Sequence, residues 1–268
     1  MAFRNHVIGV IRFSFPGLNS YRKTPDTAAE AEAFVYAPER LERRVHLFEK
    51  LCLPSLLHQT DPDYTVVLLI GDNLPPAYRA RLEELTRPLR SCLIYATGPR
   101  HAYVAVKEAY AAGARDGYTH RTSFRLDDDD ALCTRYVERL KRRADLLHQP
   151  DDPDAPFAIG FNKGFYLAVS PEGNKVFDVV ERLPLGLGLS LTTPYGSRLN
   201  VYKYHHRRIA TACDFFSDAR QPAFIRTVHR DNDSGMNLNG VRGTLTPVQV
   251  PEVLEREFPF GLDHLMSV

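Results

Sequence analysis

The sequence has no tryptophan, three methionines and four cysteines. Cys52, Cys92, Cys133 and Cys213 are scattered with no CxxC pair, which argues against a secreted disulfide framework. That usage fits a reducing compartment. An excess of either charge is also missing: 34 Lys and Arg against 33 Asp and Glu leave a formal net charge of +1. The field of the whole molecule gives no reason to expect nucleic acid as a partner, so any basic site has to be local. No apolar run approaches the length that crosses a bilayer. The opening MAFRNHVIGVIRFSF soon reaches Arg12 and lacks a signal-peptide cleavage pattern, so it reads as a first strand. These absences point to a cytoplasmic protein without a transmembrane segment, leaving room for peripheral contact at the inner membrane. No internal repeat, low-complexity tract or P-loop GxxxxGK[ST] is present, and Ser123, Ser190 and Ser217 lack a Gly-x-Ser-x-Gly setting.

What is present is an ordinary globular composition, 44% hydrophobic and 25% charged over 268 residues, enough to bury a substantial core. His6 to Phe15 reads as a strand stopped by Pro16-Gly17. The polar stretch from Leu18 to Phe34 reads as a loop or short mobile helix. From Pro38, Leu41, Val45, Phe48, Leu51 and Leu56 recur at helical spacing, and Pro54 kinks or ends that helix. Tyr64 to Ile70 is a near-continuous apolar run, as in a buried parallel strand. A helix with Tyr78, Leu82, Leu85 and Leu89 follows, then a strand from Ser91 to Ala96 and an Ala-rich helix from His101 to Ala114. Thr119 to Leu126 is the fourth strand. This alternation argues for an open α/β, mostly parallel sheet with helices on both faces. Right-handed crossovers put Pro16, Asp72, Gly98 and Asp127 along one rim, the ligand edge of such a sheet.

In the second half, Tyr136 to Leu147 reads as a helix whose basic residues form a solvated face rather than a nucleic-acid site. Phe157 to Ser170 reads as one strand or hairpin. Residues 183–197, LPLGLGLSLTTPYGS, have the composition of a flexible active-site loop, and no strand-to-helix transition makes their glycines a phosphate fingerprint. His205 to Ala219 suits a helix, Phe224 to Val228 a strand, and Glu252 to Phe258 a last short helix. The expected domain is one unit over 1–268. Its first half (1–132) would bind a nucleotide and its second (133–268) would complete the site.

The densest chemical signal is RLDDDDAL, residues 125–132, where Asp127, Asp128, Asp129 and Asp130 follow a strand directly. Four adjacent carboxylates repel one another unless they are solvated or a cation neutralises them. The bland alternative is an acidic surface turn; an EF-hand is a poorer match because the run lacks its glycine and alternating ligands. Asp127 and Asp129 alternate, so they can face the same side of an extended turn, although Asp128 with Asp130 is an equally spaced pair. Asp72 ends the second strand on the same rim, either meeting a base ring N–H or capping its own turn. Arg12 and Arg125 can pair with phosphate or carboxylate, or Arg125 can simply neutralise the aspartates beside it. His229 ends a late strand, where an imidazole can complete a metal shell or merely face solvent.

FRLDDDDAL in this order of elements resembles the metal-binding DxD region of GT-A (Rossmann-like) glycosyltransferases. With the Tyr-Val helix that follows and TVHRDNDS at 227–234, it resembles more narrowly the bacterial family of putative rhamnosyltransferases. The resemblance implies transfer of a sugar, rhamnose by the family's name, from a UDP-, dTDP- or GDP-linked donor to a glycan or lipid-linked acceptor in polysaccharide biosynthesis. It implies Mn²⁺ or Mg²⁺ on the diphosphate, with Asp127 and Asp129 as the motif aspartates, Asp130 beside them and His229 as the late histidine. It also implies a role for Asp72 like that of the base-binding aspartate of similar enzymes. Where many inverting relatives carry a Glu-Asp pair, this chain has His205-His206, which become the candidate bases, with Asp214 and Asp218 as acidic alternatives. Two other classes stand against this reading. A nucleotidyltransferase would also gather carboxylates on a metal, but PGLNSYRKT at 16–24 is a poor triphosphate loop. A non-catalytic sugar-nucleotide or glycan-binding protein would keep the fold without turnover.

Overall fold

The computed structural model describes residues 2–18, 27–229 and 240–268. Strand β1 (Asn5–Arg12) is followed by helices α1 (Ala28–Val35) and α2 (Pro38–Leu47), a π-helical turn (Phe48–Cys52) and α3 (Leu53–Leu57). Next come β2 (Thr65–Gly71), α4 (Pro76–Thr86), β3 (Cys92–Thr97), α5 (Ala102–Ala112) and β4 (His120–Asp127). The second half runs β5 (Ala131–Leu132), α6 (Tyr136–Leu147), β6 (Phe157–Phe161), β7 (Lys163–Ala168), β8 (Lys175–Val180) and β9 (Ser190–Pro194). After two 3-10 turns (Val201–Lys203 and His206–Thr211) it ends with β10 (Asp214–Asp218), β11 (Phe224–Val228), β12 (Val241–Arg242), α7 (Gln249–Glu257) and α8 (Leu262–Ser267).

The large sheet has seven strands in the order β10-β6-β9-β4-β1-β2-β3. β1 to β4 are parallel, and β9 runs antiparallel to both of its neighbours. Register sets Arg12 opposite Asp127 and places Gly71 opposite Thr97, so β1 to β4 end on one rim as the alternation requires. Helices cover both faces. Val7 and Ile11 point from β1 to the face packed by α2, α3 and α6, while Ile8 and Val10 point to the face packed by α5. A second, five-stranded sheet, β12-β8-β7-β11-β5, flanks the acidic turn.

The proline in the first crossover explains the helical irregularity there. Pro54 has no N–H to offer the Lys50 carbonyl, and the Leu53 N–H reaches back to the Phe48 carbonyl across one wide turn. The Lys50 oxygen is instead taken by His264 Nε2 at 2.8 Å, tying α8 to this helix.

Several expectations fail. Residues 190–194 are not a loop but the buried strand β9 inside the large sheet. Phe157–Ser170 is neither one strand nor a hairpin: β6 belongs to the large sheet and β7 to the small one, with buried Asn162 at the crossing. His205–Ala219 is not a helix but a 3-10 turn followed by β10. The basic residues of α6 are not all solvated. Arg139 is buried, and Arg143 reaches Asp218 Oδ2 at 3.0 Å. Asp218 is accordingly a buried structural anion, while Asp214 is exposed. Residues 19–24 of the weak triphosphate-loop match and 230–234 of TVHRDNDS lie outside the described residues.

Candidate functional site

The four aspartates leave β4 and divide between the two faces of the sheet. Asp127 shares a face with Arg12 and Arg125, whereas Phe124 and Leu126 point into the opposite core. Arg12 Nη2 lies 3.2 Å from Asp127 Oδ1, and the Asp127 side chain is 40% exposed, the most open of the three aspartates paired with arginine. Burial raises its pKa, but Arg12 and then Arg125 outweigh burial and hold it below the usual carboxylate range.

Asp128 and Asp129 turn to the other face, where Arg44 of α2 pairs with both carboxylates. Arg44 shares the buried face of α2 with Leu41 and Val45, so packing the helix carries its guanidinium inward to the turn. The Ser14 N–H donates to Asp128 Oδ2 at 3.3 Å from a left-handed backbone (φ 42°), a conformation that non-glycine residues rarely adopt. His229 Nε2 lies 2.9 Å from Asp129 Oδ2, and both residues are buried. Burial raises the Asp129 pKa, but Arg44 and then the His229 contact reverse this and hold it well below the usual range. Asp130 differs. Its Oδ1 accepts the Thr227 N–H at 2.9 Å, and burial, reinforced by Asp129 and Asp127, raises its pKa well above the usual carboxylate range.

Asp72 is exposed at the end of β2, and no donor among the described residues hydrogen-bonds its carboxylate. Its N–H donates to the Thr97 carbonyl at 3.2 Å, and Gly98 beside it leaves room: a Cβ there would sit 3.2 Å from Asp72 Oδ2. His205 and His206 stack with ring centroids 4.6 Å apart at the start of a 3-10 turn, which His205 Nδ1 caps by accepting the Arg207 N–H. Burial and then Arg125 lower the His206 pKa to about 4.

The sequence reading missed Arg44, although the signal was there. Arg40 and Arg44 fall on the same helical stripe as Leu41 and Val45, and an arginine on an apolar face needs a buried counter-ion. It also missed Tyr202, whose ring lies 4.8 Å from the Arg125 Cζ and 5.5 Å from that of Arg12.

Among the described residues no group of three or more His, Cys, Asp and Glu is arranged around a metal position. A divalent cation on a nucleotide usually takes only one or two protein ligands, the phosphates and water completing its shell. Adjacent ligands of an octahedral ion bound at about 2.1 Å stand about 3.0 Å apart. Asp129 Oδ2 and His229 Nε2 stand 2.9 Å apart, close to that spacing, but they hydrogen-bond each other and Oδ2 also meets Arg44, so the pair would hold a cation only by giving up these contacts.

A parallel β1–β4 core, one reversed strand and an acidic turn at the carboxyl rim define a GT-A-like α/β fold. Residues 6–240 match the family model described as "Putative rhamnosyl transferase". The chain belongs to that family, and so to the glycosyltransferases. No curated protein matches it. Among solved structures it is similar to S. aureus TarS (residues 1–349, in complex with UDP) at 12% identity and TM-score 0.42, covering 84% of this chain and 61% of that one. It is similar to HddC from Yersinia pseudotuberculosis at 11% identity and TM-score 0.39, covering 84% and 93%. The chain spans 37% of the longer TarS structure.

Proposed function

We propose that this protein transfers a sugar from a nucleoside diphosphate donor in a metal-dependent reaction at the carboxyl rim of the large sheet. The observation that carries this reading is the pair Asp129 and His229, two oxygen and nitrogen donors 2.9 Å apart beside the half-open Asp127 carboxylate. In this reading Asp129 and His229 hold Mn²⁺ or Mg²⁺, which neutralises the diphosphate as it leaves. Arg44 fixes the Asp129 carboxylate, and Asp130 anchors the turn to β11 through Thr227. Asp127 and Arg12 face the donor's sugar and phosphates, and exposed Asp72 accepts from the base. His205 and His206 stand on the acceptor side as candidate proton acceptors; with a pKa of about 4, His206 is neutral at pH 7 but a weak base. The donor sugar fits rhamnose by the family's description, and a glycan or lipid-linked acceptor is the matching partner.

The test is a thermal-shift titration with UDP, dTDP and GDP, with and without Mn²⁺. A ligand of the native state raises the melting temperature in proportion to the logarithm of its excess over Kd. We expect one nucleotide to stabilise the protein only with Mn²⁺, and Asp129→Asn to remain folded, because Asp128 still holds Arg44, but to lose that shift. A metal-dependent shift of wild-type size in Asp129→Asn, or none with any nucleotide in the native protein, overturns the assignment.

A further inference from the structure

We propose that the protein pairs with a second copy of itself through β3, the strand at the open edge of the large sheet. The two copies join edge to edge and antiparallel about a two-fold axis at Ile94, so that one sheet runs through both. This interface does not depend on the chemistry assigned to the rim.

An edge strand presents a row of unpaired N–H and C=O groups, and native proteins blunt such edges with charge, proline, a bulge or shortness. Among the described residues the two sheets have four edges, and three are blunted. β10 begins with exposed Asp214 and ends at Asp218, and β12 and β5 are two residues long. β3 is different. Cys92–Thr97 contains neither charge nor proline, and its register with β2 runs from Cys92 opposite Val66 to Thr97 opposite Gly71 without a bulge.

The directions of the backbone groups fix the register. The Ser91 and Thr97 carbonyls accept the Val66 and Asp72 N–H groups at 2.9 and 3.2 Å. Backbone groups alternate along a strand, so Ser91, Leu93, Tyr95 and Thr97 face β2, while the N–H and C=O of Cys92, Ile94 and Ala96 point outwards. No described strand meets them on that side. These three positions are symmetric about Ile94. With Ile94 opposite Ile94 of the second copy, each Cys92 stands opposite an Ala96 and every outward group gains a bond. The side chains suit this register. Small Cys92 and Ala96 flank the two isoleucines on one face, and Leu93, 37% exposed, meets Tyr95 on the other.

Charge selects the same occupant. The turn before β3 carries Arg87 and Arg90, both exposed and in no ion pair among the described residues. The other end of β3 leads to Gly98, beside the exposed Asp72 carboxylate. Antiparallel pairing brings the basic turn of each copy next to the acidic end of the other. The edge is thus complementary to itself in hydrogen bonds, side-chain size and charge, which favours a second copy over an unrelated strand.

The experiment is sedimentation velocity of the full chain over a range of micromolar concentrations, with hydrogen exchange of β3 measured at both ends of that range. We expect a monomer–dimer equilibrium, and slow exchange at Cys92, Ile94 and Ala96 that becomes fast on dilution. Ile94→Pro removes an N–H that bonds nothing within its own copy, so it should stay folded by circular dichroism and sediment as a monomer. Leu93→Lys sets a charge on the exposed flank of the strand and serves if Ile94→Pro does not fold. It should weaken the dimer at least about tenfold. Arg90→Glu should weaken it as well, and less so in high salt. A monomer at every concentration overturns the proposal and leaves the edge to a strand of another protein. So does a dimer of native strength in both Ile94→Pro and Leu93→Lys, or one whose Cys92, Ile94 and Ala96 amides exchange as fast as in the monomer.

Discussion

At the scale of single residues, the four consecutive aspartates do three different things. Asp127 is the open carboxylate, Asp128 and Asp129 are ionic partners of one buried arginine, and Asp130, whose burial favours the neutral acid, accepts a backbone N–H. A neutral acid and an amide have nearly the same shape and both offer an acceptor oxygen. Asp130→Asn should therefore keep the bond to Thr227 and change stability by no more than about 0.5 kcal/mol. Asp129→Asn, which removes a charge-assisted contact to Arg44 and His229, should cost about 1–3 kcal/mol. Urea unfolding of the two variants at pH 7 measures the contrast; an equal cost would mean that Asp130 is ionised in the fold. That the run needs compensation was legible in the sequence, because four carboxylates in a row repel one another, and Arg12 and Arg44 supply it. Their division was not, because Arg44 lies 85 residues from Asp129 and only the burial of one helix face brings them together.

At the scale of elements, the reading succeeded where one pattern dominates a segment. Tyr136–Leu147 and Phe224–Val228 fall at the expected boundaries, since a single periodicity or a single apolar run fills each. It failed where composition and environment disagree. Ser190–Pro194 looks like a loop, yet β4 and β6 hydrogen-bond it on both sides, and pairing decides its state. Phe157–Ser170 is largely apolar, and only its polar break at Asn162-Lys163 shows that two sheets share it. Glycine has a packing role in β1. A Cβ on Gly9 would fall 2.2 to 2.7 Å from the buried Phe124 ring of β4, with full-length pairing on one side and β2 on the other. Gly9→Ala should destabilise the protein by about 1–3 kcal/mol, and Gly9→Ala with Phe124→Leu should recover part of that loss. A melting temperature of the single variant equal to that of the parent would refute the close contact.

At the scale of the whole molecule, acid should weaken the fold before the carboxylates titrate. His6 is buried on β1, with Nε2 2.9 Å from Thr65 Oγ1 and Nδ1 3.2 Å from the Tyr195 hydroxyl. Burial, and after it Arg115, lower its pKa to about 4. Above pH 6.5 the folded and unfolded states both carry it neutral and nothing changes. As pH falls from 6.5 towards 4 the unfolded chain takes up a proton that the folded one refuses, so stability drops, by up to about 3 kcal/mol. His6→Gln should flatten the pH dependence in that window, and an unchanged profile would show that another group sets it.

The bridge from Arg44 to the acidic turn has a further consequence for the order in which the molecule is built. Two charges on a turn cannot leave water before their counter-charge arrives, and that charge travels on α2. Strands β1 and β4 can pair early on apolar contacts, since Val7 and Ile11 of β1 and Phe124 and Leu126 of β4 make an uncharged face. Closure of the rim therefore waits for the first crossover to dock. Contacts made that late govern how fast a protein comes apart more than how fast it forms. The rim is then also the catch that sets the lifetime of the folded state.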